Sequence, residues 1–174
     1  MELSYANANK LLCQEFAEMQ AIYDSDTEDW YNDGDNNTSY LFYGHEFQPF
    51  ILRHLKANDR PMLEKIFAFL ERLMTCDDYH LINMVGVQIC EALYFDNACE
   101  DYRGILFEHC GQVTLRSFYD CLPDEDKAAW DGALKPPPSF YERCPGEGTK
   151  GWRESEEALA HAHAAYIARQ GGAV

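Results

Sequence analysis

The chain has 174 residues, a length suited to one domain with a substantial core, and its 47% hydrophobic and 14% aromatic content excludes wholesale disorder. Thirty acidic against fourteen basic side chains leave a formal charge of -16, which disfavours non-specific binding to nucleic acid or to an anionic membrane surface and makes a basic protein the natural partner. No apolar run nears the roughly 20 residues that cross a bilayer, and no basic segment followed by an apolar core opens the chain, so the expected location is cytoplasmic. Seven cysteines at irregular spacings fit a reduced compartment and read as core residues rather than a disulfide framework.

Taken in order, Leu12, Phe16, Met19 and Tyr23 recur at steps of four, three and four, which predicts an amphipathic helix over 4–23. An acidic surface loop over 24–43 follows. It carries Asp24, Asp26, Glu28, Asp29, Asp33 and Asp35 with no Lys or Arg, and it embeds Trp30 and Tyr31. Residues 40–44 show no period-two alternation, while Phe47, Phe50, Ile51 and Leu55 predict a helix over 45–56 with Pro49 in its first turn.

A central helical hairpin is expected over 59–95. Its first arm places Leu63, Ile66, Phe67, Leu70, Leu73 and Met74 on one helical face. Asp59 is placed to cap free amides at its start, where Pro61 needs no amide partner, and Cys76, Asp77 and Asp78 mark its stop. The second arm carries Ile82, Val85, Ile89 and Leu93, a stripe widened by Met84, Val87, Cys90 and Ala92, so it should be the most buried helix. Further helices are predicted over 97–110, ending at Gly111, then 113–122 and 123–134. Prolines and glycines over 135–152 predict an extended strap pinned by Phe140, Tyr141 and Trp152. A last helix over 153–170 carries a weaker stripe of Leu159, Ala162, Tyr166 and Ile167. The fold class that follows is all-α: a single-domain antiparallel helical bundle of stacked hairpins, with an irregular helical-repeat character but no fixed sequence period.

The chemistry-bearing residues form no motif. Asp24, Asp26, Glu28 and Asp35 fall at calcium-loop positions one, three, five and twelve, but Asp29 stands where the loop needs Gly and Asp35 where it needs a bidentate Glu. His80 with Cys76, His109 with Glu108 and Cys110, and His161 with His163 lack the spacings of a structural zinc site. No catalytic residue, metal ligand or cofactor is therefore assigned.

Arg53, His54 and Leu55, then Asp59, the run 63–73, Asp77, Asp78 and Tyr79, and the run 83–93 together resemble a group of small bacterial all-helical domains of the immunity type, found with toxin systems. The match spans about 47–93 and extends toward Phe118. The resemblance implies a helical scaffold and brings no catalytic residue. It leaves the acidic loop and the proline strap outside its span.

Charge and resemblance together predict an immunity protein that occludes the active site of a cognate basic toxin. Asp24, Asp26, Glu28, Asp29, Asp33 and Asp35 would steer the partner, and Trp30 and Tyr31, with Tyr40 or Tyr43, would anchor it. Two alternatives make different demands. A small metal-dependent or cysteine/histidine hydrolase needs a pocket holding His80 or His109 beside acids. A regulatory helical adaptor needs a groove for a partner helix.

Overall fold

The computed structural model describes residues 2–26, 30–31 and 38–123. Apart from Pro123, the helix expected over 123–134 lies outside the described residues, as do the strap over 135–152 and the helix over 153–170. Helices make up the regular structure, and no strand occurs among the described residues. The molecule is all-α, as its apolar periodicities dictate.

The first predicted helix is divided. A 3-10 turn, Tyr5–Asn7, leads into α1, Ala8–Glu15, and α2, Ala17–Ser25, and the two helices meet at Phe16, whose backbone is extended (φ -126°, ψ 112°). No Gly or Pro forces this break. Phe16 is instead buried in an aromatic cluster, with ring centroids 5.2 Å from Phe47, 5.5 Å from Phe50 and 5.5 Å from Phe69. Tertiary burial of one ring outweighs the modest local preference for continuing the helix. The Phe16 amide still donates to the Leu12 carbonyl and its carbonyl accepts from the Gln20 amide, so the corner leaves neither group unpaired.

Helical structure then resumes at Ser39, well before the expected start at His45. Helix α3, Ser39–Phe42, passes through a π turn, Tyr43–Phe47, into α4, Gln48–Ala57. Pro49 explains the π turn: it has no amide to donate, and its ring would crowd the carbonyl four residues back, so a wider turn there avoids both problems. Gly44 lies in that turn because a second π turn, Gly86–Glu91, packs against it; a Cβ on Gly44 would sit 2.2 Å from Gln88 Oε1.

Asn58 ends α4 in the left-handed conformation (φ 49°, ψ 41°), which its short polar side chain tolerates. Asp59 then caps α5, Arg60–Met74, accepting from the Met62 amide at 3.4 Å, with Pro61 in the first turn. The expected stripe of α5 is buried throughout: Leu63, Ile66, Phe67, Leu70, Leu73 and Met74. Asp78 starts the second arm. One of its oxygens accepts from the Leu81 amide at 3.1 Å and the other from the Tyr5 amide at 2.8 Å, so a single carboxylate caps α6, Tyr79–Val85, and holds the N-terminal turn.

The second arm continues from α6 through the π turn Gly86–Glu91 to α7, Ala92–Phe95. It is less enclosed than its composition predicts, since Val87 is 36% and Phe95 65% exposed. The reason is angular: Val87 lies two positions from both Val85 and Ile89, which at about 100° per residue puts it opposite their buried face, so an apolar composition does not by itself enclose it. A 3-10 segment, Asn97–Tyr102, precedes α8, Arg103–His109, and α9 is Gln112–Asp120. Helix α5 touches α4, α6, α8 and α9, so it is the central post of the bundle. One hydrophobic core runs from Tyr5 to Leu122.

Candidate functional site

Two candidate sites stand out among the described residues. The first is the acidic edge. Asp24 is exposed in the last turn of α2, where Gln20 Nε2 donates to it at 2.7 Å, and half-buried Asp26 ends that helix and accepts from the Tyr31 amide. Tyr31 is fastened on three further sides. Its ring centroid lies 4.8 Å from that of Phe42, its hydroxyl donates to Glu46 Oε1 at 2.8 Å, and its carbonyl accepts from Asn9 Nδ2 at 3.1 Å. Partial burial, then the bond to Glu46 and the charges of Glu46 and Asp26, push the Tyr31 phenol up to about 12.

This clamp divides the two loop aromatics by role. Tyr31 belongs to the body, whereas Trp30 beside it is 54% exposed. Glu28, Asp29, Asp33 and Asp35 lie outside the described residues. Of the other aromatics expected to serve as anchors, Tyr43 is fully buried, its hydroxyl donating to the Ala8 carbonyl at 3.0 Å, and it cannot meet a partner. Half-buried Tyr40 accepts through its hydroxyl from Asn83 Nδ2 at 2.8 Å.

The second place is a cavity of about 400 Å³ between α5 and the α8–α9 corner, lined among others by Arg60, Glu64, Phe67, Glu71 and His109. Arg60 and Glu108 form a forked ion pair at its exposed mouth, with contacts of 2.8 and 3.2 Å, and the guanidinium lowers the Glu108 pKa. The His109 ring stacks on Phe67 with centroids 6.5 Å apart. Its Nε2 is buried and makes no hydrogen bond among the described residues. Burial raises the Cys110 thiol well above its ordinary pKa, so at neutral pH it is a thiol and not the thiolate that nucleophilic chemistry uses.

Glu71, on the wall of this cavity, has a structural role. Its two oxygens accept from the Val113 amide at 2.9 Å, the Thr114 amide at 2.9 Å and the Thr114 hydroxyl at 2.7 Å. A carboxylate on α5 thus caps α9. Gly111 does not simply close the preceding helix, as its sequence position suggests; it occupies the N-cap position of α9, where a Cβ would lie 2.2 Å from Glu71 Cδ. The available signal was that Gly111 offers no side-chain cap to α9, so its free amides require a remote acceptor.

Among the described residues, no group of three or more His, Cys, Asp or Glu side chains is disposed to hold a metal ion, and no helix is long and apolar enough to cross a membrane. Comparison with known families matches residues 9–135 to a domain of unknown function, DUF7674. The chain belongs to the DUF7674 family. No curated protein and no solved structure matches it. The DUF7674 match takes in the whole acidic loop, which the sequence resemblance had left outside its span, and stops at Lys135, where the proline-rich composition begins. The acidic edge therefore falls within the DUF7674 region, while the strap and the 153–170 segment fall beyond it.

Proposed function

We propose that the protein is a binding protein of the immunity type, which neutralises a basic toxin by covering its active site with the acidic surface around residues 24–35. The observation that carries this reading is the division between neighbouring aromatics: Tyr31 is clamped to the body and Trp30 stands exposed beside it, next to a run of carboxylates. A fixed base reduces the ordering cost of presenting an indole, and Trp is the side chain most often found at the energetic centre of an interface. The carboxylates supply long-range attraction and set the encounter rate.

The test uses the basic product of an adjacent gene, co-expressed and then titrated by surface plasmon resonance. Trp30→Ala should weaken binding at least about 30-fold, as hot-spot truncations do, mainly through faster dissociation. The charge variant should neutralise Asp24, Glu28, Asp29 and Asp33 but keep Asp26, which holds the Tyr31 amide. Slower association with a flatter salt dependence is expected. Unchanged kinetics in both variants would remove this surface from the interface.

A further inference from the structure

An open groove of about 390 Å³ runs between the α6–α7 arm and α9, with Ile82, Val87, Phe95, Val113, Ser117 and Cys121 among its walls. Two of the four large apolar side chains exposed among the described residues, Val87 and Phe95, stand at this one groove. An added Cβ on Gly86 would meet nothing within 4 Å, so the groove is open above the π turn as well. Its polar rim is nearly self-contained: Arg116 Nε donates to Asp120 Oδ1 at 3.0 Å, and the Arg116 guanidinium lies over the Tyr119 ring. What the groove offers a partner is apolar surface.

We propose that the occupant of this groove is the chain's own 153–170 segment, seated through Leu159, Ala162, Tyr166 and Ile167. The first argument is connection. Asp120 and Cys121 line the groove, and the described chain leaves at Pro123, so the residues that follow start at the groove's edge. The second is reach: residues 124–152, 29 in all, separate Pro123 from the segment, and at about 3.3 Å or more per extended residue they can span any face of a domain this size. The third is pattern. The four side chains fall at i, i+3, i+7 and i+8, the spacing by which an amphipathic helix fills an apolar groove. A tethered segment also acts at an effective concentration in the millimolar range, so weak contacts suffice to seat it. This inference does not depend on the acidic-surface reading.

The experiment replaces Tyr166 with the photo-crosslinker p-benzoylphenylalanine in the full-length chain. Equal amounts of chains grown in light and heavy nitrogen are mixed and irradiated, and the crosslinked peptides are mapped by mass spectrometry. Crosslinks joining position 166 to residues 82–95 or 113–121 of the same chain are expected. Adding Phe95→Asp should cut their yield at least fivefold, whereas Leu41→Asp, an exposed apolar position away from the groove, should leave it unchanged. Mixed-isotope crosslinks would place a second copy in the groove and overturn the proposal. So would crosslinks elsewhere on the chain, no crosslink at all, or a yield indifferent to Phe95→Asp.

Discussion

The central hairpin and the acidic edge use side chains in opposite ways. On α5 the apolar stripe is wholly enclosed, and the border residue Glu71 is committed to three hydrogen bonds on another helix. At the acidic edge Tyr31 is clamped to the body, and its neighbour Trp30 is 54% exposed. A residue enclosed on all sides contributes to stability, and an exposed aromatic beside a fixed one offers surface for recognition. Substitutions should separate the two regions by stability and by binding.

The largest stability loss belongs to the core of the hairpin. Leu70 and Ile89 are fully buried, and truncating either to Ala removes packed methyl groups and leaves a cavity. Each should cost about 2–5 kcal/mol, read as a lower urea midpoint at unchanged slope. A loss below 1 kcal/mol at both positions would mean that the arms are not packed as a core.

Next comes the cap that joins α5 to α9. Glu71→Ala strands two amides and a hydroxyl at the start of α9 and should cost about 1–3 kcal/mol, with faster hydrogen exchange at Val113 and Thr114. Gly111→Ala should cost a similar amount by pushing the carboxylate away, because its Cβ would lie 2.2 Å from Glu71 Cδ. Both substitutions break the same contact, so the double variant should lose clearly less than the sum of the singles. Additive losses would show that Gly111 acts independently of Glu71.

What was legible in the sequence was what local pattern controls. The α5 stripe, the Asp59 cap and the all-α class follow from spacing and from residues a few positions apart. The corner at Phe16 was not legible, because it is set by rings contributed from Phe47, Phe50 and Phe69. Pro49 was correctly placed near a helix start, but the π turn before it, which lets helical structure begin at Ser39, depends on a proline being tolerated inside a longer rod. The exposure of Val87 was legible but misread, since the regular period already sets it opposite Val85 and Ile89, and only the apolar composition of the arm suggested burial. At the acidic edge the charges and aromatics were visible, but their division of labour was not. It rests on Glu46 and Asn9, which lie 15 and 22 residues from Tyr31 in sequence.

The smallest effect on stability tests that division directly. Tyr31→Phe keeps the ring against Phe42 and removes only the hydroxyl that donates to Glu46, so at pH 8 it should cost about 1 kcal/mol. Raising the pH should erase this difference. The Tyr31 phenol is raised to about 12 in the folded chain, above the ordinary value of 10.0 that it regains on unfolding. The neutral form is thus favoured by folding: its contribution is complete below about pH 10 and is lost as pH climbs toward about 12, where a phenolate would face the Glu46 carboxylate. Phe has nothing to ionise, so the wild type should lose stability faster than Tyr31→Phe across that interval, as read from paired urea midpoints at pH 8, 10 and 11.5. The comparison subtracts the other raised tyrosines, Tyr5, Tyr23 and Tyr43, which both chains share. A gap between the two chains that stayed constant from pH 8 to pH 11.5 would mean that Tyr31 is not clamped, and the fixed base beneath Trp30 would go with it.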